Sequence, residues 1–174
     1  ASDFKELRPV PELSFSVREL GTAAGIMVTA SHNPAKYNGY KVYSETGEQI
    51  SLEMAEVIIE NIAKTDLFDD VKTMDFEQAK AEGLLTMVLE ELDDRFLEEV
   101  KKQSLNPEAV AQLGDDFKVV YTPFHGSGNK PVRRVLSEIG IKNVFVVKEQ
   151  ELPDPAFSTV KSPNPEDSEG FYLA

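Results

Sequence analysis

The sequence predicts an α/β protein of mixed layers, with a first domain and a second domain that contains a βαβ unit. Short β-prone runs alternate with amphipathic segments along the 174 residues, which is the pattern of an α/β fold. The 41% hydrophobic and 28% charged residues are typical of a globular protein. Because the chain has no cysteine, disulfides and thiolate metal sites are excluded.

The first predicted unit covers residues 1–65 and begins with a helix followed by two strands. A helix is predicted over residues 12–20, and Gly21 is placed to end it. Two β-prone runs follow at residues 25–28 and 40–43, and we expect them to hold the loop between them. The predicted inward face of the helix consists of Leu13, Val17 and Leu20.

A second helix is predicted to close this unit. Ser51 is its candidate N-cap, and the helix ends near Lys64. The acidic stretch over residues 66–83 lacks periodicity and is predicted to connect two units, so the second domain is placed at 66–174. The apolar positions of the second helix, spaced i, i+3, i+4 and i+7, are Ala55, Ile58, Ile59 and Ile62.

The second unit is predicted to open with the apolar run 84–88 and an acidic helix over residues 90–103. Asn106 is the predicted cap of another short helix. The long proline-containing stretch 149–165 is predicted to be a loop, and residues 170–174 resemble the opening of a helix. The side chains of this acidic helix that are expected to be buried are Leu92, Phe96 and Val100.

A βαβ unit is predicted between residues 118 and 148. A strand over 118–121 precedes a glycine-containing loop, a helix over 129–140 and a second strand over 143–148. Two strands joined by a helix are expected to be parallel. The inward helix positions are Val132, Val135, Leu136 and Ile139.

The charge distribution favours a small anionic ligand over a nucleic acid. The net charge is −13, whereas phosphate backbones are bound by clustered Lys and Arg. Residues 53–102 carry 15 acidic and 6 basic side chains, while 118–148 carries 6 basic residues and only Glu138 as an acid. Acidic helices can also serve solubility alone.

No apolar run approaches the about 20 residues that span a bilayer, and no export signal is recognised, so we expect a cytoplasmic protein.

The loop between the first two strands is the strongest candidate for chemistry. It reads Thr-Ala-Ser-His-Asn-Pro over residues 29–34 and Tyr-Asn-Gly-Tyr-Lys over 37–41. Ser31, His32 and Lys41 place a hydroxyl, an imidazole and an ammonium in one short stretch, which can carry a phosphoryl group. Adjacent side chains in an extended segment point in opposite directions, so Ser31 and His32 alone do not indicate hydrolase-type activation.

The two motifs at residues 29–34 and 37–41 closely resemble the phosphoserine loop of the α-D-phosphohexomutases. The resemblance continues in weaker form through residues 9–15, 121–126 and 163–166, and therefore covers most of the chain. It implies an intramolecular phosphotransferase, an isomerase in which phospho-Ser31 exchanges a phosphoryl group with a hexose phosphate. Hexose 1-phosphate and 6-phosphate interconvert through a sugar 1,6-bisphosphate.

The resemblance also implies the catalytic residues and the cofactors. Ser31 is the phosphoryl carrier, His32 lies beside the phosphoserine, and Lys41 acts near the reacting hydroxyl as a general acid or base. Mg²⁺ is expected to be held by the phosphate on Ser31 together with an aspartate loop expected beyond residue 174. Glucose 1,6-bisphosphate, or a related bisphosphate, is the expected activator. Without that loop and the sugar-binding loops, this chain alone is expected to be inactive.

Glucose phosphate is the first choice of substrate, and phosphomannomutase or phosphopentomutase activity is the alternative. A non-catalytic phosphate-binding or interaction domain is also considered, and the sequence does not distinguish a monomer from an oligomer. The loop 122–128 could bind an anion at a helix N-terminus, but its spacing favours a structural role for it and for His125. The same holds for Lys130, Arg133 and Arg134 as solvated helix charges. Four side chains near the end of the chain could offer oxygen ligands to a cation, but their spacing is not that of an EF-hand: Asp154, Asn164, Glu166 and Asp167.

Overall fold

A computed structural model describes residues 1–4, 6–88 and 90–174, and it confirms the mixed α/β class. No helix in those ranges is long and apolar enough to cross a membrane. The strands are β1 (Ser2–Phe4), β2 (Ala24–Val28), β3 (Tyr40–Ser44), β4 (Thr86–Val88), β5 (Lys118–Tyr121) and β6 (Asn143–Val146). The α-helices are α1 (Val10–Glu19), α2 (Leu52–Ala63), α3 (Phe76–Ala81), α4 (Glu90–Lys102), α5 (Pro107–Ala111) and α6 (Asn129–Glu138).

The described strands form three two-stranded sheets. β2 and β3 are antiparallel and form the predicted frame of the candidate loop, with Met27 opposite Lys41. β5 and β6 are parallel and are connected through α6, which confirms the βαβ unit. β1 pairs in parallel with β4, Ser2 lying opposite Thr86. This last pairing joins residues on both sides of the domain boundary that the sequence predicts.

The described core of the first unit lies between α1 and the β2–β3 hairpin. Leu13, Val17 and Tyr43 are buried together, and Phe4, Val10 and Met27 pack against them. A Cβ at Gly25 would lie 2.5 Å from Val17 Cγ2, so α1 and β2 meet where only a glycine fits. Leu20, predicted to share the inward face, is 44% exposed because it caps the helix rather than continuing it.

Helix α2 forms as predicted but does not bury its apolar face. Ser51 caps it, with the Ser51 Oγ accepting from Met54 N at 3.3 Å. No residue of α2 is buried, and Ile59 and Ile62 are 62% and 51% exposed, so the predicted packing of these two side chains is wrong. The periodicity of the apolar residues therefore predicted the helix, but it did not predict which element would pack against its apolar face.

The second unit follows the sequence closely, with corrections at its edges. The connection 66–83 contains the short helix α3, which is capped by Asp75. In α4 the buried side chains are Leu92 and Leu97, whereas Phe96 and Val100 are only half-buried. The last strand ends at Val146, and a 3₁₀ turn occupies Lys148–Gln150. A 3₁₀ turn over Ser168–Phe171 stands where the opening of a helix was expected.

Helix α1 and the segment before it contact α4 near its N-terminus, at residues 93–96. The rings of Phe15 and Phe96 are 5.6 Å apart, and Arg95 donates to Glu19 at 2.7 Å. At the other end, Arg8 clamps Asp93 through Nε at 2.8 Å and Nη2 at 2.6 Å. These contacts connect the helix that supports the β2–β3 hairpin with the second unit.

Candidate functional site

The loop between β2 and β3 is exposed and is closed at its base by the backbone. Thr29 N donates to Gly39 O at 2.8 Å, which continues the hairpin beyond the strand ends. Asn33 turns the chain, because its backbone N and its side-chain Nδ2 donate to Ala30 O at 3.1 and 2.8 Å. Residues 31–40 are all exposed to solvent. The hairpin therefore presents a short polar loop on a supported base.

Ser31 lies in the first turn of this loop, in a left-handed conformation. Its φ is +59°, which costs a non-glycine residue about 1 kcal/mol and needs local support. Thr29 supplies part of that support, since its Oγ1 accepts from Ser31 N at 3.0 Å. The hydroxyl of Ser31 is left facing solvent, with His32 Nδ1 at 3.5 Å. A phosphoryl group on this oxygen would be open to a ligand.

The three predicted catalytic side chains are placed on two parts of the hairpin. Ser31 and His32 are adjacent in the loop, whereas Lys41 lies on β3 opposite Met27. Lys41 is half-buried and makes no ion pair with any residue that the structure describes. Side chains alternate along a strand, so Lys41 shares the face of Tyr43 that α1 covers. Lys36, also in the loop, instead lies over the Tyr37 ring, 5.2 Å from its centroid.

The loop that follows β5 contains the other histidine, and its contacts fit the structural role that the sequence favours. His125 is 7% exposed, and its Nδ1 and Nε2 lie 2.8 Å from Leu152 O and Thr159 Oγ1. A carbonyl oxygen only accepts, so Nδ1 carries a proton and donates to Leu152. Phe124 and His125 both have a positive φ, +48° and +61°. The imidazole thus ties this turn to the segment 152–159.

The cationic side chains of α6 are engaged by acids. Lys130 pairs with Glu6, and Arg133 contacts Glu151 at 2.5 Å. Arg134 contacts Asp94 and Glu138 at 2.6 Å each. At the start of α6, Asn129 Nδ2 donates to Glu151 O at 2.6 Å. These side chains connect elements of the fold instead of converging on an open anion site.

A metal centre is not formed by the residues that the structure describes. No group of three or more His, Asp or Glu side chains in residues 1–4, 6–88 and 90–174 is arranged to hold a metal ion. Asp154 caps a turn, accepting from Ala156 N at 2.9 Å and from Ser158 N at 2.8 Å. The hydrogen bonds from Ser158 and Ala156 lower the pKa of Asp154 to about 2. Asn164 likewise accepts from Glu166 N within its own turn.

Two polar groups that sequence reasoning missed organise the structure. Gln150 is fully buried and bridges Thr122, which donates to its Oε1 at 2.6 Å, and Gly170 O, which accepts from its Nε2 at 3.1 Å. Arg8 joins Asp93 across 85 positions of sequence. Neither has a local signature, because each depends on a partner that only the fold brings near.

Comparisons with known proteins give a consistent result along the chain. The family model described as "Phosphoglucomutase/phosphomannomutase, alpha/beta/alpha domain I" matches residues 1–69, and that of domain II matches residues 94–174. A phosphoglucomutase of Staphylococcus saprophyticus is 37% identical over 95% of this chain and 29% of its own length. A human glucose 1,6-bisphosphate synthase is 36% identical over 95% of this chain and 26% of its own length.

A solved structure supports the same relationship. A Thermus thermophilus protein described as a phosphomannomutase superposes with a TM-score of 0.73 at 28% identity. The match covers 94% of this chain and 33% of that protein. The chain therefore spans about a third or less of the relatives it matches.

Proposed function

Because the chain belongs to the phosphoglucomutase/phosphomannomutase family, we propose that the complete protein is a phosphohexomutase. It interconverts hexose 1-phosphate and hexose 6-phosphate. Within it, residues 1–65 are the later part of the first domain, and residues 66–174 belong to the second. The proposal concerns the complete protein because this chain covers only 29% of the length of a phosphoglucomutase that it matches.

The observation that carries the proposal is the exposed position of Ser31 in a hairpin loop that is held by hydrogen bonds at its base. Its left-handed backbone turns the loop at this residue, and Thr29 and Asn33 hold the turn by hydrogen bonds. A phosphoryl carrier has to reach a bound substrate without rearranging its support, because catalysis of phosphoryl transfer is mostly positioning and charge neutralisation. A loop fixed at both ends by paired strands meets that need.

In the proposed reaction, phospho-Ser31 donates its phosphoryl group to the free hydroxyl of the sugar phosphate. The bond between phosphorus and the Ser31 oxygen breaks as a bond to the sugar oxygen forms, and the proton of the sugar hydroxyl moves through a base to the Ser31 oxygen. The sugar bisphosphate then presents its other phosphate. The bond of that phosphate to the sugar breaks as the Ser31 oxygen binds the phosphoryl group, and the proton passes from Ser31 back to the sugar oxygen. One phosphoryl group is given and one is recovered, so no phosphate is consumed.

His32 and Lys41 are proposed to assist this exchange in different ways. His32 lies 3.5 Å from the Ser31 hydroxyl through Nδ1 and can hydrogen-bond the phosphate that this oxygen carries. Lys41 is fixed in a strand on a segment without carboxylates, residues 31–43, and its ammonium can neutralise charge or exchange a proton with the sugar hydroxyl. A cation held by a strand needs less ordering than one in the loop, such as Lys36.

Mg²⁺ is proposed as the metal, although the described residues of this chain supply no complete site for it. Ser31, through its phosphate, is the single ligand that this chain is proposed to contribute. Since the remaining ligands and the sugar-binding loops are expected outside this chain, the 174 residues alone are proposed to be inactive.

The proposed substrate is glucose phosphate, with glucose 1,6-bisphosphate as the activator. The support is the phosphoglucomutase and glucose 1,6-bisphosphate synthase names of two relatives at 37% and 36% identity. The matching solved structure is described as a phosphomannomutase, so mannose phosphate is the natural comparison substrate. Pentose phosphate is the third to test.

The proposal is tested by mutase assays of the complete protein with Mg²⁺ and trace bisphosphate. Ser31→Ala is expected to lower turnover at least about 10³-fold, since a covalent carrier has no substitute. Ser104→Ala, an exposed serine beyond α4, is the matched control and should leave turnover unchanged. Turnover within about threefold of wild type in Ser31→Ala would reject the mechanism. No turnover of glucose, mannose or pentose 1-phosphate by the wild type would reject the function.

A further inference from the structure

A buried carboxyl group lies at the junction of the two units, outside the proposed reaction site. Glu12 is 1% exposed, although it belongs to α1 near the start of the helix. Its Oε1 has no hydrogen-bond partner among the described residues, and Arg8 Nε is 3.7 Å from it. An isolated charge at such a position would be strongly penalised. The group therefore needs a proton or a close partner.

A second carboxyl group, that of Asp93 on α4, lies at the same guanidinium. Arg8 donates to both Asp93 oxygens, at 2.8 and 2.6 Å, whereas its Nε is 3.7 Å from Glu12 Oε1. One guanidinium balances the charge of only one carboxylate, so a second carboxyl group buried beside it favours the protonated form. Because Arg8 favours the charged form of Asp93, the proton belongs on Glu12.

The surroundings of the pair agree with that assignment. The two carboxyl groups line a cavity of about 480 Å³ between α1, α4 and α6. Apart from Arg8, the cations that line the cavity pair with other acids, since Lys130 pairs with Glu6 and Arg134 with Asp94 and Glu138. The charged and titratable groups that line it together with Glu12 are Glu6 and Arg8 before α1, Glu90, Glu91 and Asp93 on α4, and Lys130 and Arg134 on α6.

We propose that Glu12 is protonated where it is buried beside the Arg8–Asp93 ion pair between α1 and α4, and that loss of this proton as the pH rises loosens the contact between the two units. In the protonated state Glu12 is uncharged, and Arg8 neutralises the charge of Asp93. Once the proton leaves, two carboxylates face one guanidinium, and one of them is buried. The contact is then weakened by charge repulsion and by desolvation.

The direction of the titration follows from burial. Burial first, and then the neighbouring Asp93, raise the pKa of Glu12 to about 8 from its ordinary value of 4.5, while Arg8 acts in the opposite direction. Between these two pKa values the folded protein keeps a proton on Glu12 that the unfolded chain has released. The free energy of unfolding therefore falls as the pH rises from about 4.5 to about 8. Arg8 lowers the pKa of Asp93 and Lys130 lowers that of Glu6, so these two acids titrate below this range.

The loosening reaches the candidate loop through α1. Leu13 and Val17, one and five positions after Glu12, contact Gly25 of β2, and β2 leads directly to Thr29 and Ser31. A change in the packing of α1 on α4 would therefore change the position of the β2–β3 hairpin relative to the second unit. The inference is independent of the proposed function, because it concerns a helix contact and not the reaction.

The direct test is a titration of the Glu12 carboxyl carbon by ¹³C NMR in the wild-type protein. We expect its midpoint above about pH 7, and a midpoint below about pH 5.5 would overturn the proposal. This measurement needs no variant. Hydrogen exchange, corrected for its intrinsic pH dependence, should show faster opening of α1 and α4 amides at about pH 9 than at about pH 6.5. Equal protection at both pH values would contradict the loosening.

The variant test compares unfolding at several pH values. Glu12→Gln carries a permanent amide donor in place of the protonated acid. Between about pH 5 and 7.5 the wild-type unfolding constant should rise relative to that of Glu12→Gln by up to about tenfold per pH unit, which corresponds to one proton. Glu19→Gln, on the exposed α1–α4 pair with Arg95, is the matched control and should follow the wild-type slope. Parallel slopes for wild type and Glu12→Gln would overturn the proposal.

Discussion

The contact between α1 and β2 depends on the absence of a side chain at Gly25, and Gly25→Ala tests it. An added Cβ would lie 2.5 Å from Val17 Cγ2 and 3.2 Å from Leu13 Cδ1. Val17 is 2% exposed and Leu13 is 8% exposed, so neither side chain can move away into solvent. Inserting a methyl group into such a core costs about 1–3 kcal/mol. We expect the free energy of unfolding to fall by about 2 kcal/mol.

The assay is urea unfolding followed by circular dichroism. Gly114→Ala is the matched control, because its nearest neighbour would be Asp116 N at 4.0 Å and its φ is not positive. That variant should be neutral or gain up to about 1 kcal/mol from reduced freedom of the unfolded chain. In the double variant Gly25→Ala/Val17→Ala, the missing Cγ2 should recover part of the loss. Equal stability of Gly25→Ala and wild type, or strict additivity in the double variant, would refute the steric account.

Three further predictions concern single contacts. Ser51→Ala should lower the free energy of unfolding by about 1 kcal/mol, because Met54 N loses its hydrogen bond to the cap. Unchanged exchange of the α2 amides in this variant would contradict the prediction. Asp93→Ala should cost about 2–3 kcal/mol in urea unfolding, since the partly buried Arg8 guanidinium loses both of its short hydrogen bonds. A loss below about 0.5 kcal/mol would contradict this. Because the folded pKa of Asp154 is lowered to about 2, its contribution to stability is present above its ordinary pKa and is lost as the pH falls from about 4 to 2. In acid unfolding, Asp154→Asn should lack that loss of stability. The same dependence of stability on pH in Asp154→Asn and wild type would contradict the role of the Asp154 carboxylate in the turn.

Local signals made much of the fold predictable. Ser51 and Asn106 were identified as caps because a cap needs only its own side chain and a backbone amide three positions on. The strands β5 and β6 were identified from apolar runs, and their parallel pairing follows from the helix between them. The same logic identified the two strands that frame the candidate loop.

Features that depend on distant partners could not be predicted in the same way. The parallel pairing of β1 with β4 joins Ser2 to Thr86, and no periodicity encodes a partner so far away. Ile59 and Ile62 follow a helical pattern but are exposed, since the pattern gives a face and not what covers it. Leu97 was missed because α4 packs on a face rotated from the predicted one.

The candidate site was identified by sequence resemblance more than by physical pattern. Ser31, His32 and Lys41 stay predictions as catalytic residues. The resemblance located the loop, but it gave neither the positive φ of Ser31 nor its hydrogen bond from N–H to Thr29. Those details depend on how the hairpin closes. The cluster of Glu12, Arg8 and Asp93 was not predicted at all, because only the packing of α1 on α4 brings both carboxyl groups to one guanidinium.

The central claim is that the Ser31 oxygen carries the phosphoryl group between sugar oxygens. The most direct measurement incubates the complete protein with ³²P-labelled glucose 1,6-bisphosphate and then isolates the peptide that contains residues 29–36. We predict label on Ser31 that chases into sugar phosphate when unlabelled glucose 1-phosphate is added. Turnover of the sugar without label on that peptide, or label that does not chase, would contradict the account.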